Sequence, residues 1–81
     1  MSPAAMVNIL GTGPRRAARL AGIADALSDP DVHLHLYGKR EVFERRKMGH
    51  VTALAASTEA AVSAARTAAE RLHWLPEEGN P

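Results

Sequence analysis

Apolar and polar side chains alternate most regularly over residues 32–37, where Val32, Leu34 and Leu36 fall on one side of an extended chain and His33, His35 and Tyr37 on the other. A period of two marks a strand with one face buried. Gly38 ends the run, and an extended pattern resumes over residues 48–54, MGHVTAL. The simplest reading of 32–54 is a hairpin with a long connection. Upstream, the apolar run MVNIL at 6–10 lies between Pro3 and the turn signal Gly11-Thr12-Gly13-Pro14, and predicts a further strand.

Elsewhere the period lengthens. Over residues 15–27, Ala18 and Ala21, and Leu20, Ala24 and Leu27, recur at three and four. The pattern predicts a helix, weakened at Gly22 by about 1 kcal/mol relative to alanine. Arg15, Arg16 and Arg19 would stand near its start, where the helix dipole disfavours cations, so they read as a solvated first turn. Residues 28–31, SDPD, form a turn by composition. A longer helix follows, with Ser57 or Thr58 as N-cap and Glu59 in its first turn. Ala61, Ala65, Ala68 and Leu72 make its inner stripe, with Val62 and Ala69 beside it; Glu59, Arg66, Glu70 and Arg71 take the outer face. Arg66 and Glu70 are spaced for an i,i+4 ion pair. The order of elements gives an α+β fold, a small, mainly antiparallel sheet packed by helices. Residues 1–5 read as a leader, 6–75 as a single domain and 76–81 as a tail.

Composition narrows the picture. Eighty-one residues make one small domain, and of the 46% hydrophobic residues sixteen are alanine, so the core is thin and a partner surface is expected. Dimerisation is one such expectation, with no seam named. The chain has no cysteine, hence no disulfide framework and no thiolate chemistry. No apolar run reaches the roughly 18 residues of a membrane span, and the N-terminus lacks a basic leader, so a soluble cytoplasmic protein is the default.

Net charge is only +1, but it is unevenly spread: Lys39, Arg40, Arg45, Arg46 and Lys47 face only Glu41 and Glu44 in the hairpin connection, a local excess of +3. Arginine grips a phosphate by its fork and lysine as a point charge, so the loop suits an anion. On residue types alone a solvated basic loop comes first and a nucleic-acid patch second. With only Tyr37, Phe43 and Trp74 as aromatics, base stacking is thinly supplied and nucleic acid is disfavoured. His33, His35 and His50 raise a three-histidine metal site, but no Asp, Glu or Cys completes it, and no metal is expected. Serines and threonines sit in turns and caps, and no Ser-His-Asp grouping or paired carboxylates can be argued from spacing, so no catalytic residue is expected. Gly11-Thr12-Gly13-Pro14 lacks the third glycine of a dinucleotide fingerprint and reads as turn chemistry.

Three stretches, MVNILG at 6–11, HLHLYGK at 33–39 and RKMGHVTAL at 46–54, resemble the C-terminal domain of 5-(carboxyamino)imidazole ribonucleotide synthase, the ATPase subunit of phosphoribosylaminoimidazole carboxylase in the ATP-grasp family. The resemblance covers most of the chain, and implies the small antiparallel α+β fold of the rudiment single hybrid motif type. It also implies an ATP-dependent ligase of purine biosynthesis that carboxylates 5-aminoimidazole ribonucleotide with bicarbonate. ATP and magnesium would be held by core domains missing from this chain, with no cofactor in this domain and no catalysis by it alone. By similarity, Lys39 and Arg46 hold the ribonucleotide 5′-phosphate, with Lys47 as a further cation and Arg45 and His50 in support. The family has arginine, proline and glycine where this chain has Phe43, Glu44 and Arg45, which puts the loop geometry in question. The alternative is a stand-alone basic binding or docking module without catalysis.

Overall fold

The computed structural model describes residues 2–77. A three-stranded antiparallel sheet is its centre: β1 (Ala4–Leu10), β4 (Val32–Leu36) and β6 (Lys47–Leu54), in the order β1-β6-β4. The alternation over 32–37 becomes β4, which pairs with β6 so that Leu34 meets Val51 and His35 meets His50. The first strand begins at Ala4, two residues ahead of the apolar run, and pairs with the other side of β6, Val7 against Val51.

The second helix forms as expected. Helix α2 (Thr58–Arg71) is capped by Ser57, whose hydroxyl accepts from the Ala60 amide at 3.1 Å. Its buried residues are Ala61, Ala65 and Ala68. Side chains this short let the helix axis approach β1 and β6, where Ile9, Val51 and Ala53 close the core. Val42 and Val51 are the largest fully buried side chains, so the core is as thin as the composition implies. Arg66 and Glu70 form no ion pair, contrary to their spacing; the one ion pair among the described residues is Arg15–Glu41 at 3.0 Å, on the surface.

Residues 15–27 differ from the expected helix. Only α1 (Ile23–Ala26) is helical, preceded by two miniature strands, β2 (Arg16–Ala17) and β3 (Leu20–Ala21). Tertiary pairing overrides the local period: β2 pairs with β5 (Glu41–Val42) inside the hairpin connection, and β3 with β7 (His73–Trp74) after α2. Gly22 separates strand from helix in the left-handed region at φ 87°, and a β-carbon there would lie 1.9 Å from the Arg71 carbonyl oxygen. The tail expected at 76–81 lies, beyond Glu77, outside the described residues. No helix among the described residues is long and apolar enough to cross a membrane.

Candidate functional site

The cation-rich connection runs from the end of β4, through β5, to the start of β6, and its backbone is tied to the loop after β1. The Gly11 amide donates to the Arg46 carbonyl at 2.7 Å, the Arg45 amide to the Gly11 carbonyl at 2.8 Å and the Glu44 amide to the Gly13 carbonyl at 2.9 Å. The Gly13 amide in turn donates to the Glu44 carboxylate at 2.6 Å. These bonds use the amides that a phosphate loop would present to a ligand. A β-carbon on Gly11 would stand 2.1 Å from the Phe43 carbonyl oxygen, so the glycine there serves close packing of two loops.

Within this frame Lys39, half-buried, donates from Nζ to the Lys47 carbonyl at 2.5 Å. An ammonium group has three donors, so two remain for a ligand. Arg46 donates from Nη1 to the Glu41 carbonyl at 3.0 Å, and its guanidinium carbon lies 5.0 Å from the centre of the Phe43 ring. Arg15 lies over the same ring at 4.3 Å. Phe43 thus holds two guanidinium groups by cation–π attraction. Lys47 is exposed. Arg45 is exposed and left-handed, φ 68°, as no other described residue except glycine is.

His50 is joined to this end of the sheet through Tyr37. Tyr37 Oη and His50 Nδ1 are 3.0 Å apart, and the Lys39 ammonium lies 5.8 Å from the Tyr37 ring centre. His35 stacks on His50 with centres 5.0 Å apart and planes 9° from parallel. Ring nitrogens carry their lone pairs in the ring plane, and nearly parallel planes do not converge on one ion as the His pair stands. No group of three metal-ligating side chains occurs among the described residues.

The family model described as the phosphoribosylaminoimidazole carboxylase C-terminal domain matches residues 4–64, from the start of β1 to the middle of α2. The chain belongs to this family. Its fold is that of N5-carboxyaminoimidazole ribonucleotide synthetase from Thermotoga maritima, with a TM-score of 0.85 and 38% identity, covering 94% of this chain and 21% of that one. Two curated relatives are formate-dependent phosphoribosylglycinamide formyltransferases. The protein from Vibrio vulnificus strain YJ016 is 40% identical over 70 residues, 86% of this chain and 18% of its own length. The protein from Herminiimonas arsenicoxydans is 42% identical over 71 residues, 88% and 17%. The chain therefore spans about a fifth of these relatives, and corresponds to a C-terminal domain of purine-biosynthesis ATP-grasp enzymes.

Two features of this family domain escape sequence reasoning. Arg16, assigned to a solvated helix turn, is 7% exposed. Its guanidinium donates to the carbonyls of Thr12 at 2.6 Å, Pro14 at 2.7 Å, Leu75 at 2.8 Å and Trp74 at 3.4 Å. Two of these acceptors are about sixty positions away, and no local pattern signals them. Phe43, taken as a departure from the family turn, is the platform under Arg15 and Arg46. A lone aromatic in a cluster of arginines was the available signal.

Proposed function

We propose that this domain holds the 5′-phosphate of a ribonucleotide substrate for an ATP-grasp ligase, with Lys39 and Arg46 as the gripping cations, Lys47 beside them, and Arg45 and His50 in support. The observation that carries the reading is the bond from Lys39 to the carbonyl of Lys47: it draws an ammonium from the end of one strand to the backbone next to Arg46. Arg46 is braced by the Glu41 carbonyl and Phe43, so its orientation costs less entropy when a ligand arrives.

The substrate we favour is 5-aminoimidazole ribonucleotide, carboxylated with bicarbonate, in keeping with the family and with the Thermotoga neighbour. ATP and magnesium would bind core domains outside this chain, and the domain would not catalyse the reaction alone. A second reading, a phosphoribosylglycinamide substrate, is favoured by the curated relatives. Both names carry a phosphoribosyl group, which is the part this domain would hold in either case.

The test is kinetic. In an enzyme that joins this domain to its ATP-grasp core, Lys39→Ala and Arg46→Ala are each expected to raise KM for the ribonucleotide about tenfold or more, as loss of one charged hydrogen bond does. KM for ATP should stay level. An unchanged ribonucleotide KM removes the site assignment, and running both ribonucleotides decides which of the two is the substrate.

A further inference from the structure

Three rings close on one another where the sheet meets the cation-rich loop. His35 and His50 are direct partners across the β4–β6 pair, and Tyr37 stands two positions beyond His35, on the same face. Each ring packs on the other two. Beside the stacked histidines, His35 and Tyr37 have centres 5.6 Å apart with planes at 57°, and Tyr37 and His50 have centres 5.8 Å apart with planes at 56°. Tilted contacts at this spacing are among the arrangements that aromatic rings prefer.

Tyr37 is bound to β6 at both ends. Its amide donates to the Met48 carbonyl at 3.0 Å, and its hydroxyl lies 3.0 Å from His50 Nδ1. Burial does not require the second bond, because Tyr37 is 43% exposed and water would satisfy the hydroxyl. What the bond fixes is the direction in which the ring faces. Directly after it Gly38, at φ 74°, turns the chain, and the Lys39 ammonium comes back to 5.8 Å from the ring centre. That distance is within the reach of a cation–π contact. A lysine is a point charge on a flexible stem, and one hydrogen bond to the Lys47 carbonyl leaves it free to swing. The ring supplies a second point of attachment.

We propose that Tyr37 is a positioning residue for the ribonucleotide phosphate: its ring, aimed by His50, holds the Lys39 ammonium in place before the ligand arrives. The inference rests on Lys39 as a phosphate ligand, and it gives His50 a role through Tyr37 instead of by contact with the substrate. A cation held in place beforehand gives up less freedom on binding, so the effect falls on the affinity for the ribonucleotide. His35 and Tyr37 are exposed and contribute nothing to the buried core, so stability should change little.

Steady-state kinetics on the enzyme that joins this domain to its ATP-grasp core test this, with thermal melts to establish that each variant is folded. Tyr37→Leu removes the ring and is expected to raise KM for the ribonucleotide about fivefold, with kcat and the KM for ATP within about twofold of wild type. Tyr37→Phe keeps the ring and loses only the bond to His50, and His50→Leu loses the same bond from the other side. Each should raise KM about threefold, and the two together no more than one alone. His50→Asn, whose amide offers an acceptor close to the place of Nδ1, should bring KM back toward wild type. With Lys39 already replaced by alanine, Tyr37→Leu should raise KM no further. If Lys39→Ala raises KM but Tyr37→Leu does not, or raises it equally with and without Lys39, this inference alone falls. An unchanged KM in Tyr37→Phe overturns it as well, whether or not the leucine variant folds. If Lys39→Ala is itself without effect, the phosphate assignment falls and this inference with it.

Discussion

At the scale of single residues, the turn before β6 holds an arginine in a backbone conformation suited to glycine. Arg45 occupies the left-handed region at φ 68°, where glycine is at ease and a residue with a β-carbon is not. An L-residue pays about 1–2 kcal/mol for that conformation. Its amide remains bonded to the Gly11 carbonyl, so the loop pairing holds the turn in place. Arg45→Gly should relieve the strain and lose part of the gain to the greater freedom of glycine in the unfolded chain. The net expectation is a gain of about 0.5 kcal/mol, which raises the melting temperature by roughly 3 °C in a domain of this size. A thermal melt checks it, and an unchanged or lower midpoint would mean that the arginine is not strained there.

Among the elements, the sheet and α2 were legible in the sequence because their hydrophobic patterns agree with their tertiary contacts. His33 and His35 do share an open face with His50, and Ala61, Ala65 and Ala68 are the buried stripe of α2. Residues 15–27 were not legible, because their alanines and leucines satisfy a helical period while their backbone is needed by partners far along the chain. Leu20 pairs with Trp74 and Arg16 with Val42, and pairings at that separation leave no local trace. Gly22 carried the clue, read only as a weak helix position. Its replacement separates two effects. Gly22→Ala adds a β-carbon 1.9 Å from the Arg71 carbonyl oxygen at φ 87°, and is expected to cost at least about 2 kcal/mol. Gly38→Ala meets the same conformational penalty at φ 74° but has no atom within 4 Å, so about 1 kcal/mol is expected. Paired denaturant titrations measure the difference. Equal losses would show that the contact between α1 and the end of α2 yields to the added carbon.

For the molecule as a whole, Arg16 joins segments that the sheet itself leaves apart. The three-stranded sheet and α2 hold the centre, while the loop at 11–14, the β2–β5 pair and the β3–β7 pair flank it and add, among the described residues, only Val42 to the large buried apolar side chains. Into this region Arg16 brings one buried guanidinium that serves Thr12 and Pro14 on one side and Trp74 and Leu75 on the other. Arg19 adds a parallel tie, donating to the Pro76 carbonyl at 2.7 Å while its own carbonyl accepts from the Leu75 amide. The candidate phosphate loop rests on this arrangement, because Glu41 and Val42 pair with the strand that carries Arg16. Arg16→Met keeps the length of the side chain and removes every donor. Four carbonyls then lose a charged donor, a cost of about 3 kcal/mol or more. A small domain with a thin core has only about 3–5 kcal/mol to lose, so most of the molecules should be unfolded at 37 °C. Arg16→Lys should rescue little, since one ammonium cannot reach both sides as the planar fork does. Trp74 is the sole tryptophan, and its indole nitrogen donates to the Leu10 carbonyl at 3.1 Å. Its emission therefore reports the same region, and in the methionine variant it should lose its folded signal together with the helical circular dichroism of α2. Retention of a wild-type melting temperature would show that the four carbonyls find other donors and that Arg16 does not hold these segments together.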